Sequence, residues 1–214
     1  MTDSVDWRAR IRPKRGGEDI VYATTTIDGT EQTSIMQPLK DRGGIVFPYT
    51  PTILVSGSAE YNPHSFHGSI YPFYTYMQSM PTTLPVTGHF SANTIEEARY
   101  LLAVMRFLSS VTKAYYGDSA VQQGVYGTPP PVMLFDYLGP YGFNKVPVII
   151  RSFNYQLAND IEYVPVSYND TVTMVPTSVD IMIDMAPQYT PRKLRKKFDL
   201  NAFTSGKSYK DGFI

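Results

Sequence analysis

The chain has 214 residues, no cysteine and a formal net charge of zero. This length supports one sizeable core, and 43% hydrophobic against 18% charged residues predicts that most of the chain folds. Without cysteine there are no disulfides, thiolate metal sites or cysteine nucleophiles, which suits assembly in a reducing cytoplasm. There is no signal-peptide pattern and no apolar run near the roughly 18 residues of a membrane span. We therefore expect a soluble, unsecreted protein.

Charge is unevenly distributed along the chain. Residues 16–191 hold 7 of the 19 bases but 15 of the 19 acids, so this body carries about −8 and the two ends together about +8. Such ends suggest self-association or an acidic partner, although solvated tails that keep the protein soluble are an equally simple interpretation. The candidate assembly contacts are Arg8, Arg10, Arg12, Arg192, Lys193, Arg195, Lys196 and Lys197.

The first 44 residues are predicted to form an N-terminal arm. Bases at every second position from Arg8 to Arg12 would share one face of an extended segment, with Trp7, Ala9 and Ile11 on the other. β-branched residues flank Asp28-Gly29, a pair favoured in two-residue hairpin turns, and predict a hairpin.

A strand-rich body is predicted for residues 45–198. Apolar and polar residues alternate in residues 51–61 and again in 84–90, which indicates strands. The segment between them, residues 62–83, is rich in Pro, Tyr and Phe. We expect an ordered, irregular connection there, because linkers seldom carry so many aromatic residues.

One long helix is predicted over residues 94–116. Asn93 or Thr94 can cap its start, and Glu96 or Glu97 completes a capping box. The apolar surface is wider than one stripe, so the helix is covered on more than one side. It lies against a neighbouring subunit, or it plugs one end of its own barrel; both remain open. The candidate core face comprises Ala98, Leu101, Leu102, Met105 and Leu108.

Strand patterns return after the helix and then stop. Residues 145–157 and 177–185 alternate, whereas residues 199–214 lose the alternation and are predicted to be a C-terminal tail. The order of strands, one helix and further strands predicts a mainly β (α+β) protein. We expect a small antiparallel β-barrel or sandwich with one flanking helix and extended termini.

Motifs for chemistry are scarce. His64 and His67 lie three residues apart near Glu60, but they fall in a proline-containing segment with no further ligand pattern, so loop histidines are the better interpretation. His89 fits the polar face of a strand. No nucleophile elbow, paired-histidine helix or glycine-rich nucleotide fingerprint is present. We expect no enzyme, and we assign no catalytic, cofactor or metal residues.

The succession of these segments resembles the baseplate tail-tube proteins of contractile-tailed bacteriophages, the tube initiators that join the central hub to the first tube ring. The resemblance covers about residues 45–198. It rests on an aromatic strand, an acid-capped helix after a strand that ends in Phe90, and a GTPPPVMLF turn. The matching segments are residues 45–66, 71–79, 84–117, 127–166 and 173–198.

The resemblance implies a tail-tube fold and a structural role in the virion. It implies a homohexameric ring whose inner sheets join into one barrel around a channel, with the helix near the adjacent subunit. It also implies assembly in the host cytoplasm, without a cofactor. The implied partners are other copies, tail tube subunits, and hub and wedge proteins, with DNA only passing through the channel and no membrane. The extended N-terminal arm favours the initiator over a second tube-like ring or an ordinary tail tube subunit.

Two hypotheses from other classes stand beside this one. The basic ends, with Trp7 and Tyr209, could form a nucleic-acid-binding module, although the acidic body argues against it. A cell-wall hydrolase accessory to the tail is disfavoured, because no acid/base pair stands in a recognisable context.

Overall fold

The computed structural model describes residues 6–22, 26–27, 30–31, 34–80, 83–116, 124, 126–168 and 171–214. The strands are β1 (Arg10–Pro13), β2 (Thr26–Ile27), β3 (Thr30–Glu31), β4 (Ile45–Val46), β5 (Thr52–Ile53), β6 (Ser58–His64), β7 (Phe73–Met80), β8 (Leu84–Ser91), β9 (Met133–Tyr137), β10 (Phe143–Tyr155), β11 (Tyr163–Tyr168), β12 (Thr171–Pro176) and β13 (Ser178–Pro187). The helices are α1 (Glu18–Val21), α2 (Gln37–Arg42), α3 (Ile95–Val111), α4 (Pro191–Lys197) and α5 (Leu200–Thr204), followed by a 3₁₀ turn at Ser208–Asp211.

The main sheet has seven antiparallel strands in the order β4-β1-β9-β10-β13-β8-β5. The mainly β, α+β class is therefore confirmed. Of the two expected architectures, a barrel or a sandwich, the closed barrel is wrong, because β4 and β5 end the described sheet and do not pair with each other. Both end strands are only two residues long, too short to continue a ladder around a cylinder.

The predicted N-terminal arm contributes a strand to this sheet. β1 pairs with β9 from Arg10↔Asp136 to Pro13↔Met133 and with β4 on its other side. Gly44 runs so close to the backbone of β1 that any side chain there would overlap it. The hairpin expected around Asp28-Gly29 is represented by the β2–β3 pair, while the turn itself lies outside the described residues.

The long helix α3 begins where the sequence predicts. The Thr94 hydroxyl accepts a hydrogen bond from the Glu97 backbone N–H at 3.2 Å, and the Glu97 carboxylate accepts one from the Asn93 backbone N–H at 2.8 Å. The helix ends at Val111, earlier than the predicted 116. Tyr115 is held instead by backbone hydrogen bonds to Thr128 and Gly127. In the described part of the chain, no helix has the length and apolar character needed to cross a membrane.

The core lies between one face of the main sheet and a layer built around α3. Sheet residues such as Val86, Phe135 and Ile183 are fully buried beneath it. The far side of α3 is covered by the β11–β12 hairpin, whose Val166 and Val175 are buried against it, and by α2. The apolar side chains of α3 are thus buried within the chain itself, and there is no closed barrel whose end the helix could plug.

The C-terminal residues 199–214 fold back onto the sheet. Phe213 is buried, stacks on Tyr189 at 5.1 Å and meets Phe198 edge-on at 5.5 Å. The Tyr189 hydroxyl donates to the Gly212 carbonyl at 2.9 Å. These aromatic contacts anchor the end of the chain that the sequence predicts to be a tail.

Candidate assembly interface

The β6–β7 hairpin stands apart from the main sheet. Among the described strands, β6 and β7 pair only with each other, from Ser58↔Met80 to His64↔Phe73. It continues the shorter β5–β8 pairing outward, so the chain leaves the sheet after Ile53 and returns at Leu84. Every residue of both strands is exposed. The hairpin therefore presents two open faces, whereas the core-forming strands bury one.

Contacts within the hairpin hold its two strands together. The Tyr61 and Tyr76 rings meet edge to face at a centroid distance of 5.7 Å. The Gln78 amide donates to the Glu60 carboxylate at 2.7 Å, across the strands. An isolated two-stranded hairpin is only marginally stable in water. These contacts support the hairpin without covering either face.

The exposed surface of the hairpin is strongly apolar. Ile70 and Tyr71 at its tip are 88% and 82% exposed. Large exposed apolar patches on soluble proteins mark interaction sites, and tyrosine suits them because it combines an apolar ring with a polar end. We define the hairpin surface as Tyr61, Phe66, Ile70, Tyr71, Phe73, Tyr74, Tyr76, Met77 and Met80.

The hairpin surface carries almost no charge. Glu60 is the only acidic residue in residues 54–80, and that range has no lysine or arginine. Natural edge strands are normally protected from pairing by charges, above all lysine. The hairpin edges lack this protection, so another strand can pair with them.

The N-terminal bases that the sequence predicts as assembly contacts form ion pairs within the chain. Arg8 and Arg10 both bind the Asp6 carboxylate, at 2.9 and 2.8 Å, and Arg12 binds Asp136 at 2.9 Å. The hydrogen bond from Arg8 lowers the pKa of Asp6 to about 2. Arg10 and Arg12 lie on the open face of the sheet, opposite the buried Ile11.

The C-terminal bases lie on α4, which begins at a Thr190 cap and buries no side chain. Lys193 lies over the Tyr189 and Phe213 rings at 5.4 and 5.0 Å, and desolvation lowers its pKa. Lys197 binds Asp211 at 2.5 Å. The other bases of α4 are exposed and pair with no described acid: Arg192, Arg195 and Lys196.

The candidate core face of α3 lies in the protein interior. Ala98, Leu101, Leu102 and Leu108 are buried, and Met105 is half-buried. The predicted list omits Tyr100, whose buried hydroxyl donates to the Val46 carbonyl at 2.9 Å and accepts from the Val46 N–H at 2.7 Å. These two hydrogen bonds join β4 to α3. No local sequence pattern predicts a contact between residues that are 54 positions apart.

Three polar side chains form a row on the open face of the sheet. The Asp180 carboxylate lies 2.7 Å from His89 Nδ1, and the Ser178 hydroxyl lies 3.4 Å from His89 Nε2. Catalytic triads of this composition bury the carboxylate, whereas the Asp180 side chain is 74% exposed. In the described part of the chain, no group of three or more potential metal ligands lies close enough together to hold an ion.

No protein-family model matches the chain, and no curated protein matches it.

Proposed function

We propose that this chain is a structural subunit that assembles with copies of itself through the β6–β7 hairpin. The observation that carries the proposal is the hairpin surface: two strands outside the main sheet, exposed on both faces, rich in aromatic residues and nearly uncharged. Such a surface gains free energy when it is covered, at about 25 cal/mol per Å² of apolar area.

A second copy is the occupant that the charges favour. A strongly charged partner would be recognised by opposite charges, and the hairpin surface has almost none. The hairpin of a neighbouring copy offers unpaired backbone groups and uncharged side chains. A hairpin that binds a different surface on the next copy makes a heterologous contact, which closes into a ring when the rotation permits.

The more specific proposal follows from the resemblance of residues 45–198 to baseplate tail-tube proteins. We propose a virion protein of a contractile bacteriophage tail that forms a homohexameric ring, initiates the tail tube and joins it to the hub. An ordinary tail tube subunit is the alternative within this class. Assembly would take place in the host cytoplasm. The mainly β fold with a flanking helix and the protruding hairpin support the proposal, while the open sheet means that closure would occur between subunits.

Analytical ultracentrifugation over a range of protein concentrations tests self-assembly. Met77→Glu places a charge on the hairpin surface, where Met77 is 58% exposed. Met174→Glu is the matched control, because Met174 is 62% exposed on the separate β11–β12 hairpin. We expect concentration-dependent oligomers for the wild type and the control and monomers for Met77→Glu. Equal association by both variants, or a wild type that stays monomeric throughout, would contradict the proposal.

A nucleic-acid-binding module is the second candidate function, favoured by the bases of α4 that have no acidic partner. Three cations on one exposed helix suit phosphate contacts, and such binding weakens steeply with salt. A gel shift with DNA over a salt series tests this candidate. A shift that is lost when Arg192, Arg195 and Lys196 are replaced by Gln would support it, and no shift at low salt would exclude it.

A further inference from the structure

A basic cavity lies between the end of β1 and helix α2, apart from the β6–β7 hairpin. Its volume is about 570 Å³. Four bases line it, Arg10, Arg12, Arg15 and Lys40, against one acid, Glu18. The neighbouring elements bring together bases that are up to thirty residues apart in the sequence.

Two of these bases form ion pairs within the chain and two do not. Arg10 pairs with Asp6 and Arg12 with Asp136, each through a carboxylate oxygen closer than 3 Å. Arg15 and Lys40 are exposed and form no ion pair with any residue in the described ranges. The cavity thus retains unpaired cations on two of its walls, Arg15 on the β1–α1 connection and Lys40 on α2.

Tyr22 supplies a second, independent feature of the same cavity. The residue is only 8% exposed, lines the cavity and has a buried hydroxyl that finds no hydrogen-bond partner among the residues that the structure describes. A buried polar group without a partner is costly, and such groups in native proteins call for an explanation. Desolvation raises the pKa of Tyr22, so the hydroxyl remains a protonated donor at neutral pH.

We propose that this cavity binds a phosphate-type oxyanion. A phosphate group can carry two negative charges, and its oxygens accept hydrogen bonds from arginine, lysine and tyrosine. Together with Arg8, which shares Asp6 with Arg10, the five bases exceed the three acids Asp6, Asp136 and Glu18 by two formal charges. A phosphate dianion can balance this excess, whereas a single carboxylate cannot. The phosphate can come from a free phosphate or nucleotide, or from the backbone of a nucleic acid.

Isothermal titration calorimetry of the full chain with inorganic phosphate, at constant ionic strength, tests the proposal. We expect saturable binding at one site per chain. Arg15→Gln and Lys40→Gln should each weaken it by about threefold or more, the scale of losing one partly exposed charge contact. Tyr22→Phe, which keeps the ring, should also weaken it. Arg106→Gln and Lys113→Gln are the matched controls, because both bases are exposed on or just after α3 and do not line the cavity.

Two further titrations identify the source of the anion. If a short single-stranded oligonucleotide competes with phosphate, the natural ligand is a nucleic-acid backbone; if it does not, the ligand is a small phosphate compound. The proposal is overturned if phosphate does not bind saturably, or if Arg15→Gln and Lys40→Gln bind it as the wild type does. Tighter binding of a glutamate-rich peptide than of phosphate, lost in the same variants, would also overturn it, because the cavity would then bind protein carboxylates.

Discussion

The contact between Gly88 and Phe47 shows how tightly side chains pack on the main sheet. Gly88 lies in β8, directly beneath the ring of Phe47, which is 1% exposed and also packs against Phe90 at 5.5 Å. A side chain at position 88 would occupy the space of the Phe47 ring. The glycine is therefore required by packing and not by an unusual backbone conformation.

Gly88→Ala should destabilise the protein, because Phe47 must move out of a tightly packed position. We expect a loss of about 1–3 kcal/mol in the free energy of unfolding, measured by urea denaturation. Phe47→Leu in the same chain provides the control. If the clash with Phe47 is the cause, the two substitutions together will cost less than the sum of their separate effects. Strict additivity would show that the clash is not the cause.

The raised pKa of Tyr189 predicts that the free energy of unfolding decreases in alkaline solution. Desolvation raises the pKa of this half-buried tyrosine to about 12, from an ordinary value of about 10. The folded state therefore favours the protonated form of Tyr189. Its contribution to the free energy of unfolding is fully present below pH 10 and is lost as the pH rises towards 12. We expect this residue alone to reduce the free energy of unfolding by about 2–3 kcal/mol over that window.

The measurement is urea denaturation of the wild type and of Tyr189→Phe between pH 9 and 12. The variant should lose less stability over this range, while Tyr141→Phe, at an exposed tyrosine, should follow the wild type. Parallel curves for the wild type and Tyr189→Phe would contradict the assignment.

At the scale of secondary-structure elements, α3 is the centre of the fold. Leu101 is 1% exposed, whereas Ile95, in the first turn of the same helix, is 54% exposed. Leu101→Ala should therefore cost about 2–5 kcal/mol. Ile95→Ala is the matched control and should change the free energy of unfolding by about 0.5 kcal/mol or less. Similar losses in the two variants, measured by chemical denaturation, would mean that α3 does not face the core as described.

Local signals predicted some elements and missed others. The start of α3 could be predicted because Thr94 and Glu97 act within a single turn. Its end could not, because the partners of Tyr115 lie beyond the helix at Gly127 and Thr128. Residues 62–83 are predicted to be an ordered, irregular connection, and this prediction is wrong, because β7 pairs with β6 from Phe73 to Met80. Pro63 does lie in a strand, opposite Tyr74, in a hairpin with open edges where proline is tolerated.

Elements at the two ends of the chain were the hardest to predict. The alternation around Arg10 and Ile11 correctly separated an open face from a buried one, but it could not show that β1 lies inside the main sheet. Residues 199–214 show no alternation because they form helix α5 and a 3₁₀ turn, and aromatic contacts such as Phe213 with Tyr189 hold them in place. The sequence of β7 did contain a usable indication of an exposed interaction strand, because it is rich in aromatic residues and has no lysine or arginine.

At the scale of the whole molecule, the bases of α4 without acidic partners are expected to contribute to assembly. We predict that replacing Arg192, Arg195 and Lys196 together by Glu prevents formation of the assembled particle. The melting temperature of the monomer should change by only a few degrees, because α4 buries no side chain. Electron microscopy and thermal denaturation provide the two measurements. Normal assembly of this variant would show that these bases are solvated and not contacts.

We propose that the β6–β7 hairpin joins copies of this chain into a ring. Electron cryo-microscopy of the assembled particle is the decisive experiment. We expect a closed ring of six copies, in which Tyr74 and Met77 of each hairpin are covered by the neighbouring copy. A density map that shows this chain in a single copy, or in a ring whose hairpins extend into solvent, would contradict it.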